Sequence, residues 1–308
     1  MLALALTGLV CSLLMGGSET MVEKERALPG RPSEMPVSDK HFVLGTPMKG
    51  PWPAGFKVAV FGNGCFWGSE KGIWRLPGGG IHSTAIGYAA GYTPNPTYEE
   101  VCSGRTGHTE AVQVVYDPSK ISFVDILRWF WEAHDPTAGM GQGNDRGTQY
   151  RSGFYWTDDE QRQLIEASAA AYEAALSKKA GKPRKITTEM KAASEFDTIF
   201  YYGEDYHRAR LAPPPDVARY GCSCDPLTVV PLSLFASCAE QYLAKPGARP
   251  YCSAQPQVVS LPPFEQWAPA SLKDTHAPKL PDAFWTKHGP TPHCVIRSPN
   301  APIAWDNW

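Results

Sequence analysis

The distribution of proline is the feature of this sequence that most limits its fold. Prolines crowd into 29–53 and 213–302 of the 308-residue chain, whereas 54–212 contains few of them. Proline fixes φ and removes a backbone donor, so proline-rich flanks rarely continue a helix or a central strand. The middle is long enough to bury a core. The sequence therefore predicts a globular middle between an extended arm at 21–53 and a long irregular C-terminal tail.

Short strand and helix patterns follow one another along the middle of the chain. Strand-like patterns occur at Lys57–Phe61, Ser83–Tyr88, Glu110–Tyr116 and Ile186–Met190, with a further extended stretch at Ala193–Phe196. Helix-like patterns occur at 65–75, at Ile121–His134, and from a capping box at Thr157–Glu160 to about Lys179. Because strands and helices do not alternate regularly as βαβ units, the pattern predicts an α+β fold.

A glycine turn, Gly62-Asn63-Gly64, joins the first predicted strand to a helix-like stretch that begins at Cys65. The free N–H groups and the dipole of a helix N-terminus favour the thiolate form of a cysteine. Phe66 and Trp67 follow, and two aromatic rings beside the thiol could wall a small apolar pocket. The same pattern also fits a structural cysteine among core aromatics, so these residues alone leave both interpretations open.

The sequence GCFWG at 64–68 resembles the signature of the methionine sulfoxide reductase A family. Further blocks that resemble this family are GYAAGYTPNPTY at 87–98, VCSG through GHTEAV at 101–112, HDP at 134–136, QGNDRGTQYRS at 142–152, ITTE at 186–189 and YGEDYH at 202–207. The resemblance covers about 56–207 nearly without a gap. It implies a catalytic domain at 54–207, folded as a two-layer α/β roll with a mixed sheet. It also implies reduction of S-epimer methionine sulfoxide, free or in proteins, as repair after oxidative damage.

Each site residue receives its role from this resemblance. Cys65 would attack the sulfoxide sulfur and become a sulfenic acid. Glu110, with a pKa raised by burial, would protonate the departing oxygen. Tyr98 and Tyr150 would hydrogen-bond that oxygen. The implied substrate-binding residues are Phe66, Trp67, Asp145 and Tyr251.

Structural interpretations stand beside these roles. Glu110 could be a surface residue, and Tyr98 and Tyr150 could be ordinary half-buried tyrosines. Cys102 is interpreted as a small buried residue without required chemistry. Three histidines, His108, His134 and His207, are interpreted as local hydrogen-bonding residues. They are not interpreted as metal ligands, because no two of them have ligand spacing on one face. The resemblance implies no metal, flavin or nicotinamide, because the protein thiols supply the electrons.

A sulfenic acid must be resolved by a second thiol, and the resulting disulfide must be reduced. Arg249–Ser253 resembles the resolving segment of long members of the family, so Cys252 is the predicted resolving cysteine. The resemblance implies thioredoxin or a thioredoxin-like protein as the reductant. The other thiols that stay open as resolver or relay are Cys222, Cys224, Cys238 and Cys294, and zinc binding by the first three together with Cys252 is a weaker alternative.

The segment 208–240 departs from the family pattern, which resumes in the tail at 241–308. We interpret it as a retained intron, translated in frame, or as a disordered loop. If the insert blocks reduction of the oxidised cysteine, the chain would be a catalytically impaired sulfoxide-binding or redox-sensing module. A cysteine hydrolase is a third hypothesis.

The charge balance bears on partners and location. Lys and Arg number 29 and Asp and Glu 31, for a formal net charge of −2, and this leaves no basic excess for nucleic-acid binding. The apolar segment 1–20 is short for a membrane span and lacks the positive start of a signal peptide. Targeting by it therefore stays open, and we expect a monomeric cytoplasmic protein.

Overall fold

The computed structural model describes residues 18–204, 244, 255–290 and 298–305. Within these residues the strands are β1 Lys57–Asn63, β2 Ile81–Ala89, β3 Thr109–Tyr116, β4 Gly141–Gln142, β5 Asp145–Arg146, β6 Ser152–Trp156, β7 Glu189–Ala192 and β8 Phe200–Tyr202. The α-helices are α1 Phe66–Trp74, α2 Tyr98–Cys102, α3 Phe123–Ala133, α4 Asp159–Ala180, α5 Phe264–Trp267 and α6 Asp282–His288. Short 3-10 helices are Lys24–Arg26, Thr148–Tyr150, Ala193–Glu195 and Ala270–Leu272.

A six-stranded mixed sheet forms the centre of the fold, in the order β7-β6-β1-β3-β2-β8. The β6–β7 pair is parallel and the other neighbours are antiparallel. The predicted α+β class and mixed sheet are therefore confirmed. The register places Tyr88 of β2 opposite Glu110 of β3, and the last residue of β1, Asn63, opposite Ser152 of β6. Consequently the start of α1, the start of β3 and the turn before β6 meet at the same end of these neighbouring strands.

Aromatic side chains fill the core between the sheet and the helices α3 and α4. Phe61 of β1 contacts Phe154 of β6 and Phe130 of α3, with ring centroids 5.4 and 5.5 Å away. Trp131 of α3 stacks on Tyr172 of α4 at 5.8 Å. All of these rings are fully buried. Burial of a large apolar side chain stabilises the fold by about 1.5–3 kcal/mol, so this cluster fixes the sheet against the two helices.

Several local predictions were wrong. The strand predicted at Ile186–Met190 lies at Glu189–Ala192, and Gly62 and Asn63 of the predicted turn belong to β1. The helix α4 begins one residue later than the predicted capping box implies, because Asp158 is the N-cap and accepts a hydrogen bond from the Gln161 N–H at 2.8 Å. Thr157 instead donates its N–H to the Gln161 side chain at 2.9 Å. The stretch Ala193–Phe196, predicted as extended, contains a 3-10 helix at Ala193–Glu195.

The C-terminal tail was predicted to be irregular, but its described part contains regular structure. It contains α5 and α6, and Phe264 and Phe284 are buried in the main core cluster. Asp125 of α3 accepts hydrogen bonds from the Lys279 N–H at 2.9 Å and the Leu280 N–H at 3.2 Å. Glu132 accepts one from the Leu261 N–H at 2.9 Å. Carboxylates on α3 therefore hold the described part of the tail against that helix.

The described part of the N-terminal arm is largely without regular structure, as predicted, and packs along loops of the domain. The Arg31 side chain donates to the Asn95 carbonyl at 2.7 Å, and Thr93 donates to the Leu28 carbonyl at 2.9 Å. Farther along, His41 is buried and bonds Thr84 of β2 at 2.8 Å. No helix in the ranges that the structure describes is both long and apolar enough to cross a membrane.

Candidate active site

Cys65 lies at the N-terminus of α1, as the sequence predicts. It is the N-cap residue, is half-buried, and forms no disulfide with Cys102, the other cysteine that the structure describes. The preceding Gly64 has φ +97°, and a Cβ at this position would lie 2.6 Å from Cγ of Gln142. Only glycine satisfies both requirements without strain. The turn thus places the thiol at the N-terminal end of the helix dipole, which favours a negative charge.

Glu110 lies directly beside this cysteine. Its side chain is 2 % exposed, and its Oε2 accepts a hydrogen bond from the Phe66 N–H at 3.1 Å. Burial raises the pKa of Glu110 well above its usual range, and the negative charge of Asp145 adds to the shift. The Phe66 N–H opposes it only in part. The surface interpretation of Glu110 is therefore wrong, and burial raises its pKa as expected, which favours the neutral form of this carboxyl.

Two aromatic residues of α1 follow the cysteine. Phe66 and Trp67 are 1 % and 7 % exposed and belong to the core cluster against which Cys65 packs. The ring of Phe66 lies 6.1 Å from that of Tyr88 on β2. The sulfur of Cys65 therefore borders an apolar, aromatic environment, which lowers the local dielectric around the thiol and around Glu110.

Tyr150 and Asp145 approach the same site from the segment between β4 and β6. Tyr150 ends the 3-10 helix Thr148–Tyr150. Burial raises the pKa of Tyr150, and the charges of Glu110, Asp145, Cys102 and Cys65 raise it further. These five ionisable side chains therefore share one electrostatic neighbourhood. Tyr150 stays a neutral phenol there, able to donate a hydrogen bond.

Tyr98 and Cys102 are the first and last residues of α2 and complete this side of the site. Burial raises the pKa of Cys102 to about 12, and Glu110 contributes in the same direction, whereas a hydrogen bond from the Tyr98 phenol lowers it. Cys102 was predicted to be a small buried residue, and the structure shows it half-buried. A thiol with this pKa is neutral at physiological pH, which agrees with the absence of a required chemical role.

Two buried charged residues at this edge received no role from the sequence. Arg151 donates to the carbonyls of Thr148 and Ala90 at 3.0 and 3.1 Å and so fixes the turn that carries Tyr150. Glu204, 1 % exposed, accepts hydrogen bonds from the Tyr98 N–H and the Tyr88 hydroxyl. Both lie in the quoted sequence blocks, but their contacts depend on the tertiary fold. The sequence signal that could have pointed to Arg151 and Glu204 was a charged residue next to a strand.

The histidine interpretation is confirmed where the structure describes it. His108 bonds the Thr93 carbonyl at 2.8 Å, and His134 bonds the Phe130 carbonyl and the Ser152 hydroxyl, both at 2.7 Å. Among the described side chains, no three His, Cys, Asp or Glu residues are grouped as a metal site. The predicted residues that lie outside the described ranges are His207, Cys222, Cys224, Cys238, Tyr251, Cys252 and Cys294.

Comparison with known proteins assigns this arrangement to a family. A profile of the family described as peptide methionine sulfoxide reductase matches residues 57–223 of the chain. The chain belongs to this family. The peptide methionine sulfoxide reductase MsrA of Salinispora arenicola is 55% identical over 210 residues, which cover 66% of this chain and 92% of the relative. A second relative, from Synechocystis, is 54% identical over 203 residues, covering 66% and 88%.

A solved structure of methionine sulfoxide reductase A from Corynebacterium diphtheriae has the same fold. It is 40% identical in sequence with a TM-score of 0.53, and the match covers 67% of this chain and 98% of the solved chain. The two-layer roll that the sequence predicts is therefore confirmed. Family membership also makes the chain an oxidoreductase that reduces methionine sulfoxide, with Cys65 and Glu110 inside the matched region.

Proposed function

We propose that this enzyme reduces the S-epimer of methionine sulfoxide, free or in proteins, with Cys65 as the nucleophile and Glu110 as the acid. One observation carries the proposal. The Glu110 carboxyl accepts the N–H of Phe66, the residue that follows the cysteine, at 3.1 Å, and it is buried with a raised pKa. A thiol and a protonated carboxyl thus meet at one helix N-terminus, and reduction of a sulfoxide needs both.

The chemical step balances between the two sulfur atoms. The Cys65 sulfur attacks the sulfoxide sulfur, and Glu110 protonates the oxygen so that the S–O bond can break. The oxygen then forms a bond to the Cys65 sulfur, giving a sulfenic acid, as the bond between the two sulfur atoms breaks and methionine leaves with a thioether sulfur. The substrate gains two electrons and the cysteine loses two, so this half-reaction requires no external reductant.

Neighbouring side chains have distinct roles in this proposal. The phenols of Tyr98 and Tyr150 donate hydrogen bonds to the sulfoxide oxygen as its negative charge develops. Burial and nearby negative charges keep Tyr150 protonated, which supports this role. Phe66 and Trp67 surround the substrate methyl group. Asp145 lies near enough to raise the pKa of Glu110 and is proposed to face the backbone of the substrate.

The sulfenic acid is proposed to be resolved by Cys252, with Tyr251 next to it at the substrate-binding site. Condensation of the two groups releases water and leaves a Cys65–Cys252 disulfide, which a dithiol of the thioredoxin class reduces. The support is the sequence Arg249–Ser253, which resembles the resolving segment of long family members. Cys222, Cys224, Cys238 and Cys294 are the competing resolvers.

The domain boundaries and the setting of the protein are also proposed. The catalytic domain at 54–207 lies between an arm at 21–53 and a tail at 241–308 that carries the resolving cysteine, and 208–240 is an atypical insert between domain and tail. The sequence supports a monomer in the cytoplasm, with targeting by 1–20 left open. A peptide found by mass spectrometry wholly inside 208–240 would show that this segment is translated and retained, and would exclude the intron hypothesis.

The decisive experiment measures reduction of the two sulfoxide epimers by the wild type, Cys65→Ser and Cys252→Ser. With dithiothreitol, we expect the wild type and Cys252→Ser to reduce the S-epimer alone, and Cys65→Ser to be inactive. With thioredoxin, only the wild type should turn over. Reduction by Cys65→Ser would exclude its role as nucleophile. Thioredoxin-dependent turnover by Cys252→Ser would transfer the resolving role to another thiol, and the corresponding single substitutions would identify it.

A further inference from the structure

The position of the Tyr98 phenol depends on a very short helix. Tyr98 is the first residue of α2, which has only 5 residues. A capping box joins Thr97 and Glu100, with the Thr97 N–H donating to the Glu100 carboxylate at 2.8 Å. This box stabilises the turn internally but does not connect it to the sheet. A helix this short has little stability of its own, so its orientation must come from tertiary contacts.

Glu204 makes such a contact. It follows β8 and is 1 % exposed. Its Oε1 accepts a hydrogen bond from the backbone N–H of Tyr98 at 2.5 Å, and its Oε2 accepts one from the Tyr88 hydroxyl at 2.7 Å. One carboxyl group therefore ties the first residue of α2 to the central part of the sheet. The two bonds use both oxygens, so neither can shift without breaking a buried hydrogen bond.

Tyr88 connects this carboxyl to the reactive groups. It is fully buried on β2, directly opposite Glu110 in the register with β3. Its ring also lies 6.1 Å from Phe66, the residue after Cys65. A buried carboxyl is expensive to desolvate unless it is hydrogen-bonded. An apolar residue could fill the same space at lower cost, but it could not accept two hydrogen bonds from two different elements.

We propose that Glu204 is a positioning residue for sulfoxide reduction, which holds the Tyr98 phenol in register with Glu110 by binding the Tyr98 backbone and the Tyr88 hydroxyl at once. The inference rests on the proposed function, because it acts through the hydrogen bond that Tyr98 gives to the substrate oxygen. Loss of the carboxyl frees α2 to move relative to Glu110. A displacement of about 1 Å in a reacting group can lower a rate by roughly 100-fold.

The test is a double-mutant cycle between Glu204→Ala and Tyr98→Phe. Methionine formation from the S-sulfoxide is measured in a single turnover and at steady state with dithiothreitol, which leaves the recycling thiols out of the readout. We expect Glu204→Ala to lower kcat by roughly 10- to 100-fold with a smaller change in KM. In the Tyr98→Phe background, the same substitution should change kcat less than about twofold, because the phenol that it positions is already absent.

Two further variants separate positioning from stability. Glu204→Gln keeps an oxygen for the Tyr98 N–H and an amide group that can donate to the Tyr88 oxygen, so its kcat should stay within about threefold of the wild type. Glu100→Ala is the matched control, because it removes the carboxylate that accepts the Thr97 N–H in the capping box without touching Glu204. We expect it to lower the unfolding temperature and to leave kcat nearly unchanged.

Equal losses from Glu204→Ala in both backgrounds would overturn the inference, as would a Glu100→Ala loss as large as that of Glu204→Ala. If Glu204→Ala does not fold, Tyr88→Phe in the same two backgrounds decides, because it removes one of the two bonds and keeps the ring. A wild type that fails to reduce the sulfoxide would overturn the proposed function together with this inference. A working wild type with additive losses would overturn this inference alone.

Discussion

The partly buried ion pair between Arg151 and Glu189 offers a test of how burial sets the energy of a charge pair. The Arg151 Nε lies 3.0 Å from Glu189 Oε2, and their side chains are 4 % and 18 % exposed. The Tyr155 hydroxyl donates to the same carboxylate at 2.8 Å. The perturbation is Glu189→Gln, which keeps the shape of the side chain and removes its charge.

The expected cost follows from what remains after the substitution. Arg151 stays charged and buried, and it keeps its hydrogen bonds to the Thr148 and Ala90 carbonyls. Removal of one partner of a buried pair costs about 3–5 kcal/mol. The second pair of Glu189, with the half-exposed Lys191 at 2.7 Å, adds little because water screens it. We therefore expect the free energy of unfolding to fall by about 3 kcal/mol.

The matched control is Glu166→Gln on the surface of α4. Glu166 pairs with Arg162 at the same 3.0 Å, but the two side chains are 49 % and 38 % exposed, so water screens the pair and the expected cost is far smaller than that of Glu189→Gln. Both variants are unfolded in urea at pH 7, and the free energies of unfolding are compared. Equal costs in the two variants would refute the argument that burial sets the energy.

The pH dependence of the Glu189 variant provides a second check. Burial alone would raise the pKa of Glu189, but Arg151, with Lys191 and Tyr155, holds it below its usual value. A carboxyl whose pKa is lowered by folding contributes stability that is present above its unfolded pKa and is lost as the pH falls through the folded one. The difference between wild type and variant should therefore shrink on acidification. A difference that grows would contradict the assigned sign.

Three further substitutions test the site and its supports. Glu110→Gln should lower single-turnover reduction by about 10²–10⁴-fold, yet it should gain stability over the wild type as the pH rises through the raised pKa of Glu110, which urea titrations at pH 6 and 9 can compare. Gly64→Ala should lower the free energy of unfolding by about 1–3 kcal/mol and should lower kcat, because an alanine at this φ would be strained and its Cβ would meet Gln142. Asp125→Ala should lower the free energy of unfolding by about 3 kcal/mol and expose the chain near Lys279 to trypsin, because buried N–H groups lose their acceptor. A trypsin pattern unchanged from the wild type would exclude the last of these.

The elements that the sequence predicted have strong local signals. β1 contains the β-prone run Lys57–Phe61, and the helix α3 shows apolar residues at helical spacing. β6 was missed because all but the last of its residues are buried on both faces, so that the two-residue period of a half-exposed strand is absent. β8 has only 3 residues, too few for a period to show. A strand of that length is defined by its neighbour β2 rather than by its own sequence.

Some of the site residues could likewise be placed from local sequence, and others could not. Cys65 could be placed from local sequence, because the glycine turn and the following helix fix it. The contacts of Glu204 could not, since it binds Tyr98 and Tyr88 across 106 and 116 residues of chain. The tail is similar, because Asp125 reaches Lys279 across 154 residues. Local patterns contain no information on which distant donor a buried carboxyl will meet.

Three buried carboxyl groups around the site show how partners decide what desolvation does. Burial is the largest influence on the pKa of Glu110, Glu189 and Glu204, and in each it acts to raise that pKa. At Glu189 a buried arginine reverses the effect, so this carboxylate stays charged and holds Arg151 and the turn before β6. At Glu204 two donors occupy both oxygens, so the group serves as a fixed acceptor.

Glu110 differs from the other two in the charge of its surroundings. The charge that acts on it is Asp145, which has the same sign, so both desolvation and Coulomb repulsion favour its neutral form. A single N–H, from Phe66, opposes them. Of the three carboxyls it is therefore the one suited to give up a proton beside Cys65. The same desolvation cost that disfavours a buried carboxylate therefore favours the protonated carboxyl that the proposed role of Glu110 as the acid requires.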